Sequence, residues 1–530
     1  MSKAAAGSET PTWTALDGRA ADEGTSLPQL IREAAARAPD RPAIVDVMQG
    51  RSLSYASLAD RIQRVAAALA ARGFGPGEVV AVHAPNTAPW AGVSIGAMAA
   101  GGAVTGVSPL ATRPEISSQL TDSNASILVT APELADGARA AAAATGVREV
   151  ISIGETPGTT PIRKLLACDA PAPDASLDPD GIALLPYSSG TTGLPKGVML
   201  THRNLAAAVG QLCAGLRPTS RDSLLALAPF AHVMGFVVSL ATPLAAGATV
   251  VTMGRFDLDA ALSAIERQRI TILPVPPPVF AALARHPAIR RHDLSSLELI
   301  VSGGAPLSAE LQEEVGARFP RAAVGQGYGL TETTAVIPVP DRDHGTPPGS
   351  VGPPAPDTEV RVVDPMSGRD LGPGNDGELW ARGPQVMAGY LGRPEATAEM
   401  IDRDGWLRTG DLGHVDAEGN LHVVDRLKEL IKVNAYQVAP AELEALLTSR
   451  PDIADAAVIP RPDERTGEVP VAVIVPRARL DCAEIVAWAA DRVAPHKRIH
   501  EVRVVDEIPR TPAGKILRRL LIEDDRKLSG

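Results

Sequence analysis

From Ser188 to Gly197 the chain reads SSGTTGLPKG, ten residues holding two serines, two threonines, three glycines and a lysine. Backbone N–H groups of a glycine-rich loop, joined by hydroxyl donors, wrap phosphoryl oxygens, and glycine permits the close approach. The Walker pattern is absent, because Lys196 is followed by Gly197 and no helix opens directly on it. Apolar LLPY before the loop and VML after it predict flanking strands that would hold it rigid, which a surface linker would not need. Three other charged residues stand in short polar runs: Glu332 in GYGLTET, Asp411 in TGDLG and Lys515 in PAGKI. Each has a bland reading taken singly: an acid at a helix N-terminus, a turn-capping aspartate and a solvated tail charge.

These groups must be positioned by a large chain. Its 530 residues suggest two to four domains, and a 45% hydrophobic content is that of an ordinary globular protein with a sizeable core. The net charge of −11 is spread along the sequence, which argues against nucleic acid as a partner. Cys168, Cys213 and Cys482 are far apart and lack metal-ligand spacing, so they read as buried thiols of a reducing compartment. The start, MSKAAAGSETPTW, shows no apolar signal-peptide region. Two uncharged stretches, 90–112 and 223–254, are broken by small residues or prolines and read as buried helix–strand units rather than membrane spans. The expectation is a cytoplasmic protein.

Within 55–72, Leu58, Ile62, Val65, Ala66 and Leu69 share one helical face, and EVVAVHAP follows as an apolar strand. The alternation continues through ATVVTM, a helix over 258–268, TILPVPP and LELIVSGG. It predicts parallel sheets covered by helices. After about residue 425 the pattern changes. A helix starting near Pro440, strands at DAAVIP and VPVAVIVP, a helix over 483–493 and a strand at EVRVVDEIP make a compact α+β unit. The predicted fold class is α/β: a large multi-subdomain body, residues 1–425, carrying a small mobile α+β lid, residues 426–530.

SSGTTGLPKG resembles the signature loop of the adenylate-forming superfamily, which includes acyl-CoA synthetases, firefly-type luciferases and the adenylation domains of peptide synthetases. SGGAPLS (302–308), GYGLTET (327–333), TGDLG (409–413), DRLKELIK (425–432) and PRTPAGKILRR (509–519) resemble further family motifs in the family's order. Through KGVMLTHRN, AYQVAPAELEA and GKILRR the chain is most similar to the 4-coumarate-CoA ligase branch. The resemblance implies a two-step reaction. A carboxylate attacks the α-phosphate of ATP to give an acyl-adenylate and pyrophosphate; the thiol of CoA then takes the acyl group and AMP leaves.

It also implies roles. Ser188, Ser189, Gly190, Thr191, Thr192, Gly193 and Lys196 would hold the β- and γ-phosphates. Glu332 would bind Mg²⁺, Thr331 would donate to the α-phosphate, and Tyr328, flanked by Gly327 and Gly329, would lie against the adenine. Gly304, Ala305 and Pro306 would form an adenine wall, while Asp411 would accept the ribose hydroxyls with help from Arg426. Lys515 would bridge carboxylate and α-phosphate in the first step. Lys432 and Gln437 match positions that act in the second, about a hinge at Asp425–Lys428, since one closed site cannot both hold pyrophosphate and admit a thiol. Where relatives usually carry lysine–glycine–aromatic–glutamine, this chain has Asn434, Ala435, Tyr436 and Gln437, which puts the thiol fit in question.

His232 matches a histidine beside the acyl pocket, and the candidate pocket positions are Val233, Met234, Gly235, Phe236, Ser239, Gly327, Val336 and Ile337. Residues 229–254 contain no Asp or Glu. A buried substrate ammonium would lack a counter-charge, so an α-amino acid is disfavoured. The apolar set suits a hydrophobic aryl, fatty or alicyclic acid. The alternatives are a luciferase-type oxygenase, a ligase loading an acyl carrier protein, and a catalytically silent nucleotide-binding protein. Retention of Lys515, Glu332, Asp411 and Lys432 together argues against the last.

Overall fold

The computed structural model describes residues 3–4, 12–14, 24–173, 177–188, 195–433, 436–463, 465–478, 480–511 and 514–529, with backbone alone at 3–4, 436–437 and 529. Two largely parallel sheets make the body, as the apolar alternation predicts. The first is centred on Val79–His83, flanked by Ala103–Val107 and Ala125–Thr130, and continues through Ile182–Leu184 to the antiparallel strand Lys196–Thr201. The second runs Ala323–Gln326, Leu299–Ser302, Ile272–Val275, Ser223–Ala226, Thr249–Thr252 and Pro42–Asp46, closed by the hairpin strand Arg51–Ser54. The helices Tyr55–Ala70 and Ala88–Ala99 pack on each other, and one buried apolar cluster contains residues from both helices and both sheets. The stretch 90–112 is therefore a buried helix and strand, and 223–254 is strand, helix and strand. Among the described residues no helix is long and apolar enough to cross a membrane.

A third sheet is antiparallel and lies largely in 359–426, beyond the stretch whose alternation predicts parallel strands. It orders Lys3–Ala4, Trp13–Thr14, Glu359–Val363, Gly377–Arg382, Leu407–Val415 and Leu421–Arg426 around its own core. The lid carries a fourth sheet, with Gly467–Pro476 between Ile453–Asp463 and Glu501–Val504, and the hairpin Ile431–Val433 with Tyr436–Val438 at its edge. Its helices are Pro440–Thr448, Cys482–Ala490 and the C-terminal Arg518–Ser529. Arg426 still pairs with Asp411 in the third sheet, and the lid sheet begins at Ile431, so the change of body falls within 427–430. The cysteines are free and half-buried rather than fully buried. Burial pushes the Cys213 thiol up to about 11.

Candidate active site

The phosphate-loop segment rises from the strand Tyr187–Ser188 and returns through Lys196–Thr201, with Ser188 opposite Lys196. Ser189, Gly190, Thr191, Thr192 and Gly193 lie outside the described residues. At the base, the Tyr187 hydroxyl donates to Asp122 at 2.8 Å, and Arg393 holds the other oxygen of that carboxylate at 2.9 Å. The Lys196 ammonium sits 4.8 Å from the centre of the Tyr390 ring, whose hydroxyl donates to Glu332 at 2.8 Å. Glu332 is buried in the short helical turn Thr331–Thr333, which Thr331 opens. Met387 N–H donates to the Glu332 carbonyl, and the Thr334 hydroxyl donates to Gln385 O at 2.7 Å. Thr334 and Ala335 both hold left-handed backbone, at φ 51° and 70°, immediately behind the carboxylate. Such strain persists where surrounding contacts over-determine it, commonly at functional sites.

Glu332 suits a hard cation. Its Oε1 is bonded, while Oε2 accepts no hydrogen bond among the described residues. Those residues include no group of three or more His, Cys, Asp or Glu that could hold a metal alone. One carboxylate sharing an ion with substrate phosphates is the ordinary arrangement for Mg²⁺.

Asp411 lies on the strand Leu407–Val415, its side chain only 3% exposed. Tyr328 donates to Oδ2 at 2.6 Å and Arg426 reaches Oδ1 at 3.0 Å. Burial pushes the Asp411 pKa up, and the Arg426 charge pulls against that. A carboxylate has about four lone-pair sites, so each oxygen keeps one for a vicinal diol. Gly304 and Pro306 are exposed and Ala305 is half-buried on a loop after Leu299–Ser302, which Gln326 anchors by accepting from Leu307 N–H at 2.9 Å. Gly327, Tyr328 and Gly329 follow the neighbouring strand, so both segments leave the same ends of adjacent parallel strands.

Lys515 comes from the lid. Its loop is a tight hairpin: Thr511 N–H donates to Lys515 O, Arg510 donates to Gly514 O at 2.8 Å, and Arg510 also pairs with Asp455 at 2.7 Å. Gly514 holds φ +85°, and a Cβ there would lie 3.4 Å from Pro276 Cβ of the body. Docked so, the ammonium lies 3.7 Å from Glu429, which also takes Arg518 at 3.4 Å. The charges of Arg426 and Asp411 act on it as well. Burial, then Arg426, hold the Lys515 pKa below its usual value. Burial pushes Glu444, the other partner of Arg518, up to about 7.

Lys432 and Gln437 are directly opposite in the lid hairpin, and the Lys432 side chain is exposed. The Gln437 side chain, with Asn434 and Ala435, is outside the described residues. Of the two candidate lid lysines, Lys515 is the one acted on by the charges of Asp411 and Arg426. Asp425 spans the change of body, accepting from Ala441 N–H at the start of the lid helix at 2.9 Å.

His232 caps the turn Val233–Phe236, its Nδ1 accepting from Met234 N–H at 3.3 Å, and burial lowers its pKa. A Cβ on Gly235 would stand 2.0 Å from Pro229 O, so only glycine fits. Met234 reaches the Gly303 backbone, placing it beside the 303–306 loop. The remaining candidates divide. Phe236 is 1% exposed and packs on Trp90 with ring centres 5.7 Å apart. Ser239 is fully buried, Val336 joins the main core, and Ile337 packs in the core of the antiparallel sheet with Tyr328. Glu429, Arg510 and Arg518 fall within DRLKELIK and PRTPAGKILRR without having been singled out, whereas two contributors lie outside every motif: Tyr390 and Asn86. The last clamps the segment before His232 by donating to Ala226 O and Ala228 O and accepting from Phe230 N–H.

A lysine of the small body reaches the body that carries the buried Asp411 and Glu332, an arrangement suited to a charged, nucleotide-sized substrate. The sequence profile of the AMP-binding enzyme family matches residues 31–391, and that of the AMP-binding enzyme C-terminal domain matches 442–515, so the chain belongs to this family. It is 40% identical to 4-coumarate--CoA ligase 3 of Oryza sativa subsp. japonica over 489 residues, covering 90% of this chain and 88% of the relative. It is 38% identical to 4-coumarate--CoA ligase of Pinus taeda, covering 92% of each. Among solved structures, ATP-bound MatB from Rhodopseudomonas palustris superposes with a TM-score of 0.87 at 30% identity, over 96% of this chain and all of that one.

Proposed function

We propose that the protein is an AMP-forming acid–thiol ligase that activates a hydrophobic carboxylic acid with ATP and passes the acyl group to CoA. The observation that carries the reading is the seating of the Lys515 loop against the body at Pro276, with its ammonium 3.7 Å from Glu429 and within reach of the charges of Asp411 and Arg426. Carboxylate attack on a polyphosphate brings two anions together, so the site must supply positive charge and fixed orientation. Asp411 and Arg426 hold the ribose, the 303–306 loop and Tyr328 hold the purine, and Lys196 with the adjoining hydroxyl loop takes the departing pyrophosphate. Glu332 would hold Mg²⁺, which when bound neutralises phosphate charge. Lys515 lies between the substrate carboxylate and the α-phosphate. An oxygen of the acid bonds to the α-phosphorus as the α–β bridge breaks.

The second step needs pyrophosphate gone and a path for a thiol. Rotation of the lid about 425–428 withdraws Lys515 and brings in the Lys432–Gln437 edge; the thiol sulfur bonds to the acyl carbon and AMP leaves. The relatives are CoA ligases, which favours CoA over a carrier-protein phosphopantetheine. Apolar Met234 beside Gly303 supports an apolar acid, aryl, fatty or alicyclic. Incubation with Mg-ATP, CoA and a panel of such acids, read by mass spectrometry, should yield a thioester and AMP for one class. A wide panel giving no acid-dependent AMP contradicts the reading.

A pH effect follows from Lys515. The ammonium is the working form, and its lowered pKa means that charge is lost at a lower pH than for a free lysine. The kcat/KM of adenylation should fall on the alkaline side before about pH 10.4, the free lysine value, because this ratio reports the unliganded enzyme. Thioester formation from supplied acyl-adenylate should lack that limb. The two half-reactions, followed separately over the alkaline range, check this.

A further inference from the structure

Lys196 and Glu332 carry opposite charges at one site, and each is useful only if it stays available: the ammonium for phosphate, the carboxylate for a cation. Left to meet, they would pair and spend both charges on each other. Among the described residues, neither makes an ion pair within 4.0 Å. What stands between them is Tyr390. Its hydroxyl donates to Glu332 Oε1 at 2.8 Å, and its ring lies under the Lys196 ammonium, 4.8 Å from ring centre to nitrogen.

The backbone fixes this placement. Gly389–Tyr390 is a two-residue strand paired with Lys196–Thr201, with Tyr390 opposite Val198. Leu391 N–H donates to Gly197 O and Ala388 N–H to Met199 O, continuing the ladder on both sides. Tyr390 N–H donates to the Thr397 hydroxyl at 2.9 Å, and the side chain is buried. Met387, three residues earlier, donates to the Glu332 backbone carbonyl. One short segment is thus tied both to the strand leaving the phosphate loop and to the turn carrying the carboxylate.

We infer that Tyr390 is a positioning residue for the first step, which holds Lys196 and Glu332 apart and presents each to its own part of Mg-ATP. An aromatic face attracts an ammonium without neutralising it, so Lys196 is steered and keeps its charge. The phenol O–H occupies one lone pair of Oε1 and leaves Oε2 without a donor among the described residues, available to a cation. The opposing view is that Tyr390 is a buried tyrosine whose hydroxyl merely needed a partner.

The inference rests on the reading that this site holds ATP with a divalent cation, and two variants separate its parts. Tyr390→Phe keeps the ring and removes one buried hydroxyl; Tyr390→Leu removes the ring as well. The probes are Mn²⁺, followed by electron paramagnetic resonance, and α,β-methylene-ATP, followed by calorimetry with and without metal. For Tyr390→Phe, Mn²⁺ affinity in the nucleotide complex should weaken about ten-fold, the scale of one hydrogen bond to a charged group, with metal-free nucleotide affinity unchanged. For Tyr390→Leu, metal-free nucleotide affinity should fall too, by about three- to ten-fold, as Lys196 relaxes onto Glu332. Mn²⁺ affinity of Tyr390→Phe within two-fold of the parent, or an equal loss with and without metal, would reduce Tyr390 to packing. Should Tyr390→Leu fail to fold, Tyr390→Phe decides alone, because its metal dependence is read in a folded protein with the ring in place. A parent protein that binds Mn²⁺ and nucleotide but activates no acid overturns the functional reading and leaves this inference intact.

Discussion

Lys515→Ala should lower the rate of acyl-adenylate formation by about 10²–10³, or 3–4 kcal/mol, the usual cost of deleting one preorganised charge contact at a developing anion. Arg510 donates to Gly514 O and Thr511 Oγ1 accepts from Lys515 N–H, and Gly514 beside the lysine lies against Pro276 and Pro278 of the body. The two arginines whose charges act on Lys515 are already paired, Arg426 with Asp411 and Arg518 with Glu429 and Glu444. Thioester formation from supplied acyl-adenylate should be nearly unchanged, because that step uses the other lid edge. Stopped-flow measurement of the two half-reactions checks both statements. An equal loss in both would remove Lys515 from its assigned place.

Asp411→Asn should act differently, and the contrast is informative. The carboxylate takes Tyr328 on one oxygen and Arg426 on the other. The amide removes the charge facing Arg426 and puts a donor where the ribose also donates. Hydrogen bonds to a charged group are worth about 1.5–3 kcal/mol, so kcat/KM for ATP should fall about 10²-fold, chiefly through KM. The ribose stays bound until AMP leaves, so thiolysis of supplied acyl-adenylate should weaken as well. Calorimetric ATP binding together with both half-reaction rates distinguishes this pattern from that of Lys515→Ala. Unchanged ATP affinity would take the ribose role from Asp411.

The parts of this site that were legible in the sequence are those whose chemistry is local. GYGLTET, TGDLG and PAGKI each put a charged residue in a short run, and in the structure Tyr328 bonds Asp411 while the charge of Asp411 acts on Lys515. The parallel sheets were legible because their strands are apolar on both faces and alternate with helices, as in EVVAVHAP and LELIVSGG. The antiparallel sheet was not, because it pairs Trp13–Thr14 with Glu359–Val363, partners separated by most of the chain. The acyl-pocket stretch was only half legible. A π-helical turn at Val237–Ala241 follows Phe236, and both Phe236 and Ser239 are buried, an irregularity of helical phase that the apolar run does not announce. Tyr390 was invisible for a related reason. Its use comes from a two-residue strand laid beside Lys196–Thr201, and nothing in GYLGRP marks that pairing.

Isotope transfer tests the central claim most directly. The acid that gives a thioester would be supplied with both carboxylate oxygens as ¹⁸O, with Mg-ATP and CoA, and the products weighed by mass spectrometry. If the carboxylate attacks the α-phosphorus, AMP must carry one ¹⁸O and the thioester must retain the other. Unlabelled AMP, or label appearing in orthophosphate or pyrophosphate, would place the attack elsewhere on ATP and contradict an acyl-adenylate route.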